Sequence, residues 1–406
     1  MKENKRNVYP DVIMDELPEG LEVSPAMKRL YEQWPHSDDR KNEFFTNFKY
    51  SEITGIGSDE EVSRRDPSKV IKVGDTYYVY YTRRKTRVEP VGIHVFNESN
   101  EIPTFDWDLS DIYCASSKDG FNWVEEGPSV ERAPKGEYGD RSLSTPDVLV
   151  WQGKYYLYYQ TFTGPFREET NDYCDVSMAW ADSPLGPWHK TTDPVIKQGE
   201  LEDWDSMAIH DPYPLVYKGK IWVYYKGENL RVGGDPVNMV RAQGVAIADT
   251  PEGPYVKHPM NPVTNSGHET FLFPYNEGIA AVLTFDGIEK NTIQYAADGV
   301  NFEMKSHIHC PPIAAGPYSP DAFTDSGDAN GVTWGLFHVE CGDVKARCHC
   351  YIARFDCDLD RRFNRKLYRD PYDFYGRYSE ETYFGKDMEL SNDLREEMIL
   401  RELMMK

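Results

Sequence analysis

A short phrase returns five times along this chain, and it limits the possible folds more than any other feature. It reads as an acidic residue, an apolar strand, a turn with Gly, and a second strand rich in Tyr. Three copies are clear: DPSKVIKVGDTYYVYYT (Asp66–Thr82), PDVLVWQGKYYLYYQ (Pro146–Gln160) and DPYPLVYKGKIWVYYK (Asp211–Lys226). Two degenerate copies follow, HETFLFPYNEGIAAVLT (His268–Thr284) and PDAFTDSGDANGVTWGLFHV (Pro320–Val339). The leading acids are Asp66, Asp147, Asp211, Glu269 and Asp321. A strand-and-turn unit recurring every ~50–80 residues predicts an all-β chain, a five-bladed β-propeller. Aligned this way, each blade places one carboxylate at the same point near a common axis. Converging carboxylates are what a sugar-cleaving site needs.

A second recurrence lies between the hairpins: CASSKDGFNW (Cys114–Trp123), WADSPLGPW (Trp180–Trp188), IADTPEGPY (Ile247–Tyr255), YAADGVNF (Tyr295–Phe302) and YIARFDCDLD (Tyr351–Asp360). Four copies carry a small-residue strand, a turn of Asp, Ser, Pro and Gly, and then an aromatic. The turn residues supply positive φ or bond their own backbone, and the aromatic opens an outer strand. The fifth copy keeps the strand and loses the aromatic. Both series count five, with four strands to a blade. A β-sandwich has similar hairpins but need not repeat one phrase in register.

The composition agrees, with 28 Tyr, 9 Trp and 18 Phe in 406 residues. Such aromatic content suits packed sheets and sugar sites alike. Sixty-eight acidic against 45 basic side chains give a net charge of −23. That charge argues against nucleic acid, anionic membranes and densely sulfated polymers as partners. No apolar run is long enough to span a bilayer. The leader MKENKRNVYPDVIMDELPEG has no apolar core and no cleavage site, which predicts a cytoplasmic protein or a mature periplasmic form. Seven Cys crowd toward the end, inviting a zinc site. Cys348 and Cys350, however, alternate with His349 along a strand and so face away from its imidazole. Buried thiols are the expectation, and no metal ligand is assigned.

The ends are not blades. Residues 1–45 form a leader in which Ser24 caps a short helix with Pro25 in its first turn. Residues 46–375 hold the propeller. Residues 376–406 read as a helical tail with apolar positions at helical spacing. An amphipathic arm on a Pro/Glu/Gly leader can dock on a neighbouring subunit.

Asp66 opens SRRDPSKV, Asp211 opens HDPYPLVYKGK, and Glu269 follows His268 in SGHETFLFP. A propeller with Asp, Asp and Glu on blades one, three and four resembles glycoside hydrolases of the arabinanase and β-fructosidase type. Together with the YEQWPHSDDRKNEFF leader, these phrases resemble glycoside hydrolase family 117 more narrowly, the α-1,3-(3,6-anhydro-L-galactosidases) or α-neoagarobiose hydrolases. The resemblance implies release of 3,6-anhydro-L-galactose from neoagaro-oligosaccharides with inversion, in agar breakdown. It also implies a homodimer that exchanges its N-terminal segments. No cofactor is required, although propeller hydrolases often hold an axial divalent cation; no oxygen-rich calcium loop is legible here.

The chemistry of the residues suggests roles. Arg64 and Arg65 flank Asp66 and would hold it ionised, as a base that activates water needs to be. Asp211 would orient the sugar and tune the acid, and His210 would bond a sugar hydroxyl. The acid is His268 by the narrower resemblance and Glu269 by the broader one, with His268 favoured. Adjacent strand residues face opposite ways, so both reach one pocket only across a bulge after Gly267. Arg65, Trp107, Thr145, Gln160, His210 and Lys226 fall where a sugar could be stacked or hydrogen-bonded, Trp107 on an insertion able to roof the pocket. Asp147 and Asp321 read equally well as turn residues. The remaining alternatives are a related propeller glycosidase, acting on another anhydrogalactoside or an arabinofuranoside, and a non-catalytic carbohydrate-binding propeller.

Overall fold

The computed structural model describes residues 17, 19–20, 23–28, 42–46, 48–85, 88–92, 94–166, 173–228, 241–284, 286–318, 331–341, 349–357 and 359. Its strands form five antiparallel sheets, the blades of a propeller. Blade one contains β2 (Ser63–Arg65), β3 (Ile71–Val73), β4 (Thr76–Arg84), β5 (Asp111–Ser117) and β6 (Trp123–Val130). β2 and β3 are two halves of its innermost strand, and both pair with β4. Blade two contains β7 (Ser142–Trp151), β8 (Lys154–Phe162), β9 (Asp175–Ala181) and β10 (His189–Lys190). Blade three contains β11 (Ala208–Tyr217), β12 (Lys220–Glu228), β13 (Ala242–Ala248) and β14 (Val256–Lys257). Blade four contains β15 (Phe271–Tyr275), β16 (Gly278–Leu283), β17 (Thr292–Ala296) and β18 (Glu303–His307).

Blade five is built from both ends of the chain. β19 (Gly316–Tyr318), β20 (Trp334–Cys341) and β21 (His349–Asp356) take their fourth strand from β1 (Lys49–Ser51). Lys49 pairs with Asp356 and Ser51 with Arg354. This explains the missing aromatic in the fifth turn phrase: the outer strand comes from before blade one. On the inner side, β19 lies tight against blade one, and a Cβ on Gly316 would sit 1.7 Å from the Ser68 carbonyl oxygen.

The Tyr-rich strands are unbroken by polar residues because a blade is covered on both faces. Side chains alternate along a strand, so Tyr80 packs with blade two while Val79 and Tyr81 pack with blade five. In blade two, Tyr155, Leu157 and Tyr159 face blade one, and Tyr156 and Tyr158 face blade three. Several hydroxyls then donate to the turn of the next blade. Tyr80 reaches the Pro184 carbonyl at 2.6 Å, Tyr158 the Pro251 carbonyl at 3.0 Å, and Tyr224 the Gly299 carbonyl at 2.7 Å. The two sequence recurrences are therefore partners, since the Tyr of one blade is satisfied by the turn of its neighbour.

Residues 25–28 are helical, and the Lys28 amide donates to the Ser24 carbonyl at 2.9 Å. The rest of that predicted helix, its exchange between subunits, the C-terminal helix, Asp321 and Cys348 lie outside the described residues. Cys114, Cys174 and Cys350 are buried.

Candidate active site

The site is made by one backbone device used five times. Asp66, Thr145, Asp211, Glu269 and Ala314 all have left-handed φ, between 46° and 56°. Each is followed by a residue that turns back into the inner strand, and the five pairs from Asp66-Pro67 to Ala314-Ala315 surround one small axial cavity. In blades two and three the device is a β-bulge. Ser144 pairs with Gln160 but Asp147 with Tyr158, and His210 pairs with Lys226 but Tyr213 with Tyr224. One extra residue on the inner strand re-aims the side chains beside it. As a result Arg65 and Asp66, His210 and Asp211, and His268 and Glu269 all line the same cavity. In blade four β15 begins only at Phe271, and before it Gly267 at φ 118° and Glu269 at φ 56° turn the chain so that both His268 and Glu269 reach the cavity.

This corrects the alignment of blades two and five. The residue equivalent to Asp66 is Thr145 in blade two and Ala314 in blade five, not Asp147 or Asp321. Asp147 lies deeper, buried in an ion pair with Lys69 below the site. A carboxylate therefore stands at this point in three blades, not five.

Arg65 is the hub of the Asp66 side. Its Nε lies 2.9 Å from Asp66 Oδ2, its Nη1 3.4 Å from Asp106 Oδ2, and its Nη2 3.5 Å from Glu269 Oε1. Arg64 turns away to Glu125 and Asp59, at 3.0 and 3.3 Å, so only one of the two expected arginines serves Asp66. Thr82 Oγ1 donates to Asp66 Oδ2 at 3.2 Å, and Thr145 Oγ1 stands 3.5 Å from the same oxygen. On the far side, His338 Nδ1 lies 3.1 Å from Asp66 Oδ1. Burial pushes the Asp66 carboxyl up, but Arg65 and His338 outweigh it and hold the group well below the usual carboxylate range. Burial lowers His338 in turn, yet the nearby Glu269 and Asp66 carboxylates leave its pKa raised.

Ligand atoms of Asp66, Glu269 and His338 lie within 4.8 Å of one another, close enough to share a cation. The Arg65 guanidinium already lies against both carboxylates, so protein groups meet the charge that a cation would balance.

The opposite wall carries a second network. His268 Nδ1 is 2.8 Å from Asp286 Oδ2 and its Nε2 is 4.0 Å from Glu269 Oε1. Arg241 Nη1 also contacts Asp286 Oδ2, at 2.9 Å. The hydrogen bond from His268, opposed by partial burial, holds Asp286 below the usual range with help from Arg241. Lys226 Nζ stands 4.0 Å from Asp211 Oδ2 and 3.1 Å from Glu228 Oε1. Gln160 Nε2 and His210 Nδ1 are 2.5 Å apart. Burial, reinforced by the Lys226 cation, lowers His210 to about 3, so the imidazole is neutral. Nδ1 then accepts from Gln160 and the ring proton sits on Nε2.

Trp107 closes the cavity from the insertion between β4 and β5. Two buried ion pairs pin that insertion: Arg84 Nη2 to Asp106 Oδ1 at 2.7 Å, and Arg141 to Asp108. The Trp107 ring stacks on Phe105 at 4.6 Å, and the Arg65 guanidinium lies 5.2 Å from its centre. The cavity so enclosed measures about 300 Å³.

The profile described as "Glycosyl hydrolases family 43" matches residues 61–243. No curated protein matches the chain. Among solved structures, "Zg3597, a family 117 glycoside hydrolase, produced by the marine bacterium Zobellia galactanivorans" is 46% identical, covering 83% of this chain and 99% of that one, with a TM-score of 0.75. The chain belongs to glycoside hydrolase family 117. A further structure, named "Glycoside hydrolase", shares the fold at low identity (14% identical, TM-score 0.51, 83% of this chain and 96% of that one).

Ten residues assigned to the site from the sequence of this family 117 hydrolase line its cavity, Arg65, Asp66, Trp107, Thr145, Gln160, His210, Asp211, Lys226, His268 and Glu269, whereas Arg64 and Asp147 do not. Sequence reasoning missed Glu228, Arg241, Asp286 and His338. A signal for His338 did exist. Opposite the residue before each left-handed turn stand Thr82, Gln160, Lys226, Thr284 and His338, the last two bonded through the His268 amide to the Thr284 carbonyl and the His338 amide to the Ile313 carbonyl. Aligning blade five on Asp321 concealed that position.

Proposed function

We propose that this hydrolase releases 3,6-anhydro-L-galactose from the non-reducing end of neoagaro-oligosaccharides, with inversion. The observation that carries the reading is the convergence of Asp66, Asp211, His268 and Glu269 in one cavity of about 300 Å³ under Trp107. Such a volume suits the end of a short chain, at the small limit of ligand sites, and the choice of sugar follows the family resemblance. Asp66 takes a proton from water, whose oxygen attacks the anomeric carbon. His268 Nε2 gives its proton to the glycosidic oxygen as the C–O bond breaks, while Asp286 holds Nδ1. Asp211 orients the sugar, and His210 offers Nε2–H to a hydroxyl.

The spacing argues against Glu269 as the donor and leaves that role to His268. Inverting pairs stand ~6.5–9.5 Å apart to admit water, whereas oxygens of Glu269 and Asp66 come within 4.8 Å and share Arg65. Glu269 serves as the charged support. Arg65, wedged between the two carboxylates, narrows this space and favours one second reading: the same chemistry on another anhydrogalactoside or an arabinofuranoside.

Thin-layer chromatography of neoagarobiose with the protein should yield two monosaccharides, and NMR of the fresh product should show the inverted anomer. An untouched disaccharide, with turnover of a related glycoside in the same panel, moves the assignment to the second reading. The assembly belongs to this proposal as well. The segment before about residue 45 makes a homodimer, so deleting residues 1–35 should give a monomer by light scattering.

A further inference from the structure

One buried carboxylate oxygen of the cavity lacks a hydrogen-bond partner among the described residues. Glu228 ends β12 two positions beyond Lys226, on the same face of the strand. Its side chain is only 1% exposed, although it lines the cavity. Oε1 is shared by Lys226 Nζ and Arg241 Nε, each at 3.1 Å. Oε2 is buried and has no hydrogen-bond partner among the described residues. Holding Lys226 against Asp211 accounts for Oε1 and says nothing of Oε2. A buried acceptor without a donor is costly, and more so when charged, so a site that keeps one is built to receive a donor from outside.

The chemistry of that donor is narrow. A carboxylate oxygen repels anions. A cation would have to join Lys226 and Arg241, which already face the same group. A neutral hydroxyl supplies one proton and forms a charge-assisted bond. Its position indicates which sugar. Arg241 links Glu228 to Asp286, which holds His268, the donor to the leaving oxygen, whereas the base Asp66 is held by Arg65 and His338. We infer that Glu228 is a specificity-determining residue whose Oε2 accepts a hydroxyl of the sugar on the leaving side of the scissile bond. The inference rests on the proposed function.

Calorimetry in an Asp66→Asn background tests it with three probes: neoagarobiose, D-galactose and methyl 3,6-anhydro-L-galactoside. Adding Glu228→Ala should weaken neoagarobiose binding roughly 10- to 100-fold and abolish galactose binding, leaving the anhydrogalactoside unchanged. Glu228→Gln keeps the side-chain shape and an oxygen for Lys226 and Arg241. It should weaken neoagarobiose binding less, with an unchanged melting temperature. Undiminished neoagarobiose binding in both variants overturns the inference, as does an equal loss for the anhydrogalactoside. If the parent binds neither anhydrosugar probe, the substrate reading fails and galactose alone decides. Galactose binding that depends on Glu228 keeps the inference, and its absence ends it.

Discussion

The inner-strand starts of blades one, three and four and those of blades two and five share one backbone and differ in chemistry. Asp66, Asp211 and Glu269 take the same left-handed conformation as Thr145 and Ala314. A left-handed residue other than Gly costs about 1–2 kcal/mol. Ala314 bears this conformation with no polar group to offer. The turn is thus a property of how the blades approach the axis, and the proposed catalytic carboxylates occupy three of its five copies. Strain at Asp66 is not by itself evidence of function, because Ala314 has the same strain without it. What marks the functional positions is their company: Arg65 and His338 beside Asp66, Lys226 beside Asp211, and His268 with Asp286 beside Glu269.

If that division is right, substitutions at the two kinds of position should differ by orders of magnitude. Asp66→Asn keeps shape and removes the proposed base, so turnover should fall roughly 10²- to 10⁴-fold while substrate still binds; retained turnover in a steady-state assay breaks the comparison at its strongest point. Asp286→Asn removes the charge that orients His268 and should cost roughly 10- to 100-fold in kcat. An activated aryl glycoside, whose leaving group needs no proton, should lose much less.

Arg65→Gln tests the company rather than the position. Arg65 is the leading group that lowers Asp66 against its burial, so its removal raises the folded pKa. The acid limb of kcat/KM should then move to higher pH, with activity lost earlier as pH falls. An unmoved limb would assign the ionisation to His338. The smallest effects belong to the other two blades. Thr145→Ala removes one long contact to Asp66 and should cost only a few-fold. Ala314→Gly should leave kcat unchanged and alter stability by about 1 kcal/mol or less, read from a denaturation midpoint.

The blade count, the hairpins, the turns and most of the ten cavity residues were legible because they belong to a repeating phrase or adjoin one, Trp107 on its insertion being the exception. Repetition also misled where chemistry had drifted. Asp147 and Asp321 looked like the missing acids because they precede apolar runs, and the true equivalents, Thr145 and Ala314, carry no charge to attract notice. Glu228, Arg241 and Asp286 sit at strand ends and connections that differ from blade to blade, so no period points to them. They are brought together only by the packing of blades three and four. The closing strand β1 was invisible for a related reason: three residues carry no pattern of their own.

That closure fixes when the site can exist during synthesis. Asp66 is made early, whereas His338, which contacts it, is 272 residues further along the chain. The last blade takes its outer strand from a segment before Asp66. A ribosome-bound chain carrying blades one to four has all four proposed catalytic side chains and lacks the group that holds the base from behind. On the proposed roles, the complete site exists only once blade five has paired with β1, and turnover at its full rate reports completion of the ring.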